Sequence, residues 1–416
     1  MAAKHPEAKW FEQAKFGIFM HWGTYSLRGI EASWPLKPGN NQHLPVEEYE
    51  ALAQQFNPQD YDPVEWAEMA KQAGAKYVVL TAKHHDGYCL FDTATTDYCA
   101  TKTGPGRDLI APYVEALRNA GLKVGIYFTT MDWYDPDFAT IPIAELLQSP
   151  KRYEYDPARW FEFHKRFVEQ IRELLTNYGR IDLFWFDGEK AFRADRWRSH
   201  EVKQMMLNLQ PHLVINDRLP EAGDYITPEQ YIPFQPPQDW WELCLALNHQ
   251  WAYHPDPTTY KDVHTLIRIL SEVAGKGGNL LLNLGPKADG TWPEEAKERL
   301  ATIGNWLSHS GEGIYGTERV TRAECFYGPM TRKNQTLYFH LFDLPQSSVE
   351  VRGVNGKIKQ IRLLKDGRLL KWTESKGYGT EANQFRARFW IDVPQQACDA
   401  YNTIIAVDFE EGPIFS

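Results

Sequence analysis

The sequence predicts an α/β chain, with a TIM-type (β/α)8-like barrel over residues 1–318 followed by an antiparallel β-sandwich over 319–416. Three observations carry that expectation. Short apolar runs, suited to strands buried on both faces, alternate with helix-like stretches of roughly ten to fifteen residues, which is the pattern of βα units in a parallel sheet. Histidines, acids and an arginine gather at the carboxyl ends of those runs, the face on which barrel enzymes build their sites. Beyond about residue 319 the helical period gives way to short, mostly alternating runs with turn residues between them.

Taken in order, the first run is Phe16-Gly17-Ile18-Phe19-Met20, which ends in His21-Trp22-Gly23. After a loop holding Trp34, the stretch from Pro63 to Ala73 carries Val64, Ala67, Met69 and Ala70 at helical spacing, opened by proline and closed by Gly74. The strand from Tyr77 to Ala82 runs into Lys83-His84-His85-Asp86-Gly87, and a helix from Asp108 to Asn119 follows, closed by Gly121. Lys123 to Phe128 leads to Asp132-Trp133. An amphipathic helix from Pro157 to Tyr178 then presents Phe161, Phe167, Ile171, Leu174 and Leu175 on one face.

It precedes Ile181-Asp182-Leu183-Phe184-Trp185-Phe186, a buried strand that breaks into Asp187-Gly188-Glu189. Read alone, Asp187 is either a helix cap or a catalytic carboxylate. Leu213-Val214-Ile215 ends in Asn216-Asp217-Arg218, weaker signals lie at Thr227 to Tyr231 and Trp240 to Glu242, and Asn279 to Leu284 is strong again before a helix from Pro293 to Ser308. Seven or eight strand positions with polar residues on nearly every end fit a barrel better than an open doubly wound sheet, and no G-x-G-x-x-G turn follows a strand. Gly275-Lys276-Gly277-Gly278 precedes a strand instead of opening a helix, which argues against a phosphate cradle. In the last part, strands are expected at Thr336 to Phe342, Ser348 to Val351, Ile358 to Leu364, Phe385 to Val393 and Ile404 to Phe409.

Composition narrows the function. A formal net charge of −10 and no dense basic patch exclude nucleic acid as the natural partner; Lys190, Arg193, Arg196 and Arg198 read as a solvated helix face. Five scattered cysteines without C-x-x-C spacing fit neither a disulfide framework nor a structural zinc site. The start of the chain lacks an apolar signal segment and no run approaches a membrane span, so a cytoplasmic protein without a membrane partner is expected. Aromatic residues reach 14%, with 15 Trp and 21 Tyr, side chains that suit either a large core or a sugar with its C–H faces and hydroxyls.

No G-x-S-x-G elbow is present, and no cysteine has a plausible base beside it. His84 and His85 are adjacent, and neighbours on a strand point to opposite faces, so no metal is expected; at a strand end both rings could instead bind hydroxyls. The carboxylates at strand ends are Asp86, Asp132, Asp187, Glu189, Asp217, Glu229 and Glu242. A pair of such groups, one ionised and one protonated, is the machinery of glycoside hydrolysis, and spacing leaves the pair open.

The segments KFGIFMHWGTYS, YVVLTAKHHDGYCLFDT, GRDLIAPYVEALRNAGLKVGIYF, LFWFDG, INDR, TPEQY and GGNLLLNLGPKADG, in this order, resemble the α-L-fucosidases of glycoside hydrolase family 29 between about Trp10 and Thr317. The resemblance implies a retaining hydrolase that needs no cofactor and releases fucose from an oligosaccharide or glycoconjugate. The alternative is a fucose-binding protein on the same fold that has lost catalysis. The resemblance implies Asp187 as nucleophile and Glu229 as acid/base; if Glu229 is instead a surface residue, Glu242 or Glu189 would replace it. His21, Trp34, His84, His85, Tyr127, Trp185, Arg218 and Trp251 would form the fucose pocket. Two places depart from the family pattern. The chain reads Trp251-Ala252-Tyr253 where a glycine is usual in the middle, and Ala32-Ser33-Trp34-Pro35 where an acid usually precedes the tryptophan. Asp217 reads as a structural partner of Arg218, and Asp86 as a cap or as the group that orients His84 and His85.

Overall fold

The computed structural model describes residues 5–138, 156–188, 194–320, 323–375 and 388–415. Its centre is a seven-stranded sheet of β1 (Phe16–Met20), β2 (Tyr77–Lys83), β3 (Lys123–Thr129), β4 (Leu183–Asp187), β5 (Val214–Ile215), β6 (Glu242–Ala246) and β7 (Asn279–Leu284). The order is β5-β4-β3-β2-β1-β7-β6 and every pairing is parallel.

The edges β5 and β6 do not pair with each other; an irregular stretch lies between them. Tyr225 bridges Asn216 just past β5, while Ile226 and Glu229 bridge Trp241 and Cys244 on the other side, all in parallel sense. Cys244 N–H donates to Pro228 O (3.1 Å) and Gln230 N–H to Cys244 O (2.9 Å). This is the eighth barrel position. Pro228 has no N–H to offer a ladder and Gln230 sits at φ +62°, so it does not settle into a regular strand. The weak signal at Thr227 to Tyr231 therefore marks a real wall, whereas that at Trp240 to Glu242 stops where β6 begins.

The barrel interior is filled by side chains that reach across it. Gly17 in β1 lies opposite Tyr77, and a Cβ there would collide with the Tyr77 ring, so only glycine leaves room for it. The helices pack outside. The longest, Pro157–Asn177, is opened by Asp156, whose carboxylate accepts from the N–H groups of Ala158 and Arg159. A cap of this kind contributes about 1 kcal/mol. Trp160, Phe163, Phe167, Ile171, Leu174 and Leu175 form its buried face; Phe161, expected there, is exposed.

The C-terminal part is antiparallel: β8 (Glu318–Arg319), β9 (Met330–Lys333), β10 (Thr336–Leu341), β11 (Val349–Arg352), β12 (Val354–Asn355), β13 (Ile358–Leu363), β14 (Trp372–Ser375), β15 (Arg388–Ile391), β16 (Thr403–Phe409) and β17 (Ile414–Phe415). They form sheets β13-β16-β10-β9-β8, β11-β15-β14 and β12-β17. Phe385, expected to start a strand, lies outside the described residues, as do Lys190 and Arg193. Trp306 Nε1–H donates to Asn402 O (3.0 Å), and Asn402 Nδ2 to Ser271 Oγ (2.8 Å), which ties this part to the barrel helices. No described helix is long and apolar enough to cross a membrane.

Candidate active site

Asp187 is the last residue of β4, paired with Thr129 at the end of β3. Its Oδ2 accepts from Tyr127 Oη–H (2.7 Å) and its Oδ1 from Arg218 (2.6 Å). His85 Nε2 stands 3.6 Å from Oδ2. Burial alone would raise this carboxyl, but the Arg218 guanidinium, His85 and the Tyr127 hydrogen bond outweigh it and hold Asp187 well below the usual carboxylate range. The group is an ionised carboxylate fixed from several sides.

Arg218 follows β5 and lies over the Trp185 ring at 4.6 Å. Its other terminal nitrogen donates to Glu229 Oε2 (2.6 Å). One guanidinium thus spans both carboxylates. Burial works against its charge, and the carboxylates of Asp187 and Glu229 keep it protonated. Asp217 beside it accepts from Thr227 N–H and Oγ1–H (3.2 and 2.6 Å), fastening the end of β5 to the irregular wall that carries Glu229.

The histidines stand just past strand ends. Because β2 ends at Lys83, His84 and His85 escape the strand alternation and both reach the same cavity. Each is held from behind: His84 Nδ1 meets Ser33 Oγ (2.5 Å), His85 Nδ1 meets Thr129 Oγ1 (2.5 Å), and His21 Nδ1 meets Asn283 Oδ1 (2.7 Å). Burial lowers His21 to about 4 and drives His84 well below its ordinary value, so these rings are neutral hydrogen-bonding groups at neutral pH. The Tyr127 ring stacks on Trp185 (5.6 Å) and lies parallel to His84 (5.5 Å). Among the described residues, His84, His85 and Asp187 also offer ligand atoms within 4.8 Å of one another.

The cavity is about 150 Å³, and Trp34, Trp185, Trp251 and Phe19 provide its aromatic lining around Asp187, Arg218 and Glu229. Of the fucose-pocket residues implied by the sequence, Tyr127 alone is not on the lining, and it reaches Asp187 through its hydroxyl. Phe19, Met131, Gly188 and Cys244 also line it, without having been singled out in the sequence; Phe19 belongs to the run before His21, but an apolar strand residue carries no chemical signal.

The other acids have different positions. Asp132 pairs with the buried Lys83 (2.9 Å), which also bonds Gln170 (2.8 Å). Asp86 accepts from Tyr49 and from Tyr88 N–H, and its own N–H donates to Ser33 Oγ, so it holds the partner of His84. Glu242 is fully buried outside the cavity lining, where Trp185 Nε1–H (2.9 Å), Tyr77 and Tyr225 hydroxyls all donate to it. Burial raises its carboxyl to about 7. It supports the floor beneath Trp185, whereas Glu229 is on the cavity lining. Glu189 lies outside the described residues.

An ionised carboxylate and a second, more exposed one on the same arginine, set in an aromatic cavity at the carboxyl ends of barrel strands, give the form of a glycoside hydrolase. Residues 1–312 match the family model described as Alpha-L-fucosidase, and the chain belongs to that family. It is 31% identical to the tissue α-L-fucosidase of Homo sapiens over 339 residues, 75% of this chain and 70% of that protein. The solved structure of α-L-fucosidase isoenzyme 1 from Paenibacillus thiaminolyticus superposes with a TM-score of 0.87 at 36% identity, covering 97% of this chain and 99% of that one. An α-L-fucosidase from Bacteroides thetaiotaomicron, trapped as a covalent intermediate with 2-fluoro-fucosyl fluoride, gives 0.83 at 27% identity, covering 98% and 96%.

Proposed function

We propose that this chain is a retaining α-L-fucosidase in which Asp187 attacks the anomeric carbon and Glu229 serves as acid and then base. The observation that carries the assignment is the Arg218 bridge between the two carboxylates. Retaining pairs stand about 5 to 5.5 Å apart, a separation that one guanidinium can span.

In the first step Asp187 displaces the glycosidic oxygen from the face opposite the leaving group, while Glu229 gives that oxygen its proton. The product is a fucosyl ester on Asp187 and a free aglycone. In the second step Glu229 takes a proton from water, the hydroxide attacks the same carbon, and Asp187 leaves as a carboxylate. Two inversions restore the α configuration. Arg218 and Tyr127 compensate the charge on Asp187 before attack and after departure, when it is largest.

His21, His84 and His85 offer ring nitrogens to the sugar hydroxyls, and Trp34, Trp185 and Trp251 cover its C–H faces. Fucose carries a methyl where most hexoses carry a hydroxymethyl. An apolar wall prefers it by about 1 to 3 kcal/mol. The five cysteines are free thiols, which supports a cytoplasmic enzyme; recovery in culture medium instead of lysate would argue otherwise.

The deciding experiment is hydrolysis of 4-nitrophenyl α-L-fucoside followed by NMR. Early accumulation of α-fucose supports retention, and early β-fucose would sink the double displacement. Activity abolished by EDTA and restored by a divalent ion would transfer the role of His84, His85 and Asp187 to metal binding.

A further inference from the structure

Trp251 forms one wall of the cavity, with its ring 5.2 Å from His21, yet it stands on an irregular segment after β6. Its backbone is clamped from both sides. The Trp251 N–H donates to Glu31 (2.8 Å to Oε1, 3.1 Å to Oε2), and its carbonyl accepts from Asn283 Nδ2 (2.6 Å). The Ala252 N–H also bonds the Glu31 carboxylate. Asn283 in turn holds His21 by its Oδ1, so the wall and the ring it faces share one anchor.

Glu31 comes from the loop after β1, which also supplies Ser33 to His84 and Trp34 to the cavity. That loop is itself fixed, since Tyr49 Oη–H donates to Ala32 O (2.9 Å) and Ala32 sits at φ +46°. Gly285 lets the Ala252–Tyr253 backbone pass so closely that a Cβ would collide with it. Ala252 is buried without needing positive φ, so alanine fits where the family pattern has glycine.

We propose that Glu31 is a positioning residue that sets the Trp251 wall by holding its backbone, and so fixes sugar affinity without touching the reacting atoms. The proposal rests on the cavity assigned above. A carboxylate is costly to bury, and burial lifts this one to about 7. Two amide donors on one cavity wall explain why it is nevertheless placed there.

The test is steady-state kinetics on 4-nitrophenyl α-L-fucoside with Glu31→Ala, Glu31→Gln, Trp251→Ala and the double variant Glu31→Ala/Trp251→Ala. Glu31→Ala should raise KM about tenfold, the size expected for lost charge-assisted bonds, with kcat nearly unchanged. Glu31→Gln keeps a carbonyl acceptor and should recover most of the loss. The double variant should be no worse than Trp251→Ala, because both act through one wall. A wild-type KM in Glu31→Ala, or losses that add in the double variant, would overturn the proposal. If Glu31→Ala does not fold, Glu31→Asp, whose shorter side chain pulls the carboxylate away from the Trp251 N–H, answers by the same additivity with and without Trp251→Ala. Failure of the unmodified chain to cleave the fucoside would count against the fucosidase reading instead.

Discussion

Two halves of the barrel rim are built differently. The half from β1 to β4 is built of full strands, with one register shift at the end of β2, and His21, His84, His85, Tyr127 and Asp187 stand at or beside their ends with partners behind them. The half from β5 to β6 has one two-residue strand and an irregular wall, and it carries Arg218 and Glu229. The carboxylates differ accordingly, with the Asp187 side chain 16% exposed and that of Glu229 41%. A nucleophile must stay ionised in one place, which suits a rigid strand end. An acid/base must exchange protons with a leaving group and then with water, which suits an open edge.

The comparison breaks most visibly at Asp187. Asp187→Gly should lose activity by about 10⁴-fold, and azide should restore part of it with a β-fucosyl azide as product, because azide then attacks opposite the leaving group in a single step. Substantial activity without azide would place the nucleophile elsewhere. Glu229→Ala should lose about 10² to 10⁴-fold on natural glycosides and much less on aryl fucosides, whose leaving group needs no proton. Here azide should give the α product, by attack on the fucosyl ester. Equal losses on both substrates would mean that the irregular half does not supply the acid.

Arg218→Met tests the bridge between the halves. Asp187 is held down largely by this guanidinium against the effect of burial. Removing it should move the acid limb of the kcat/KM profile to higher pH by about 1 to 3 units. An unmoved limb would mean that the limb does not report Asp187.

Glu242 gives the smallest effect and concerns stability. Its folded pKa, near 7, exceeds the ordinary value of 4.5, so between those values the folded chain keeps a proton that the unfolded chain has lost. Stability should therefore fall as pH rises through that window and level off above it. Thermal unfolding of Glu242→Gln should show less of this decline, and its kinetic losses should not depend on leaving group. An unchanged slope would contradict the buried, protonated state.

The half from β1 to β4 was legible in the sequence because each buried strand ends in an abrupt change of chemistry, as in Phe186-Asp187 or Met20-His21. The irregular half was not. Thr227 to Tyr231 reads as a weak strand because proline and a positive φ break its period, yet it closes the barrel. Glu242 looked like a candidate acid because an acid beside Trp241 gives no sign of which way it points. The pair of asparagines in Asn279-Leu280-Leu281-Leu282-Asn283 did hold a usable signal. A polar residue in a buried strand needs partners, and Asn283 finds His21 and Trp251.

The sequence by itself determined where the strands from β1 to β4 end, and therefore which side chains stand on that half of the rim, because burial periodicity and chain direction are local properties. Only the tertiary structure decided that one arginine joins Asp187 to Glu229, that Glu242 lies beneath the floor, and that Glu31 reaches Trp251. Those contacts join residues from different strands and loops, and closing the barrel is what brings them within hydrogen-bond reach.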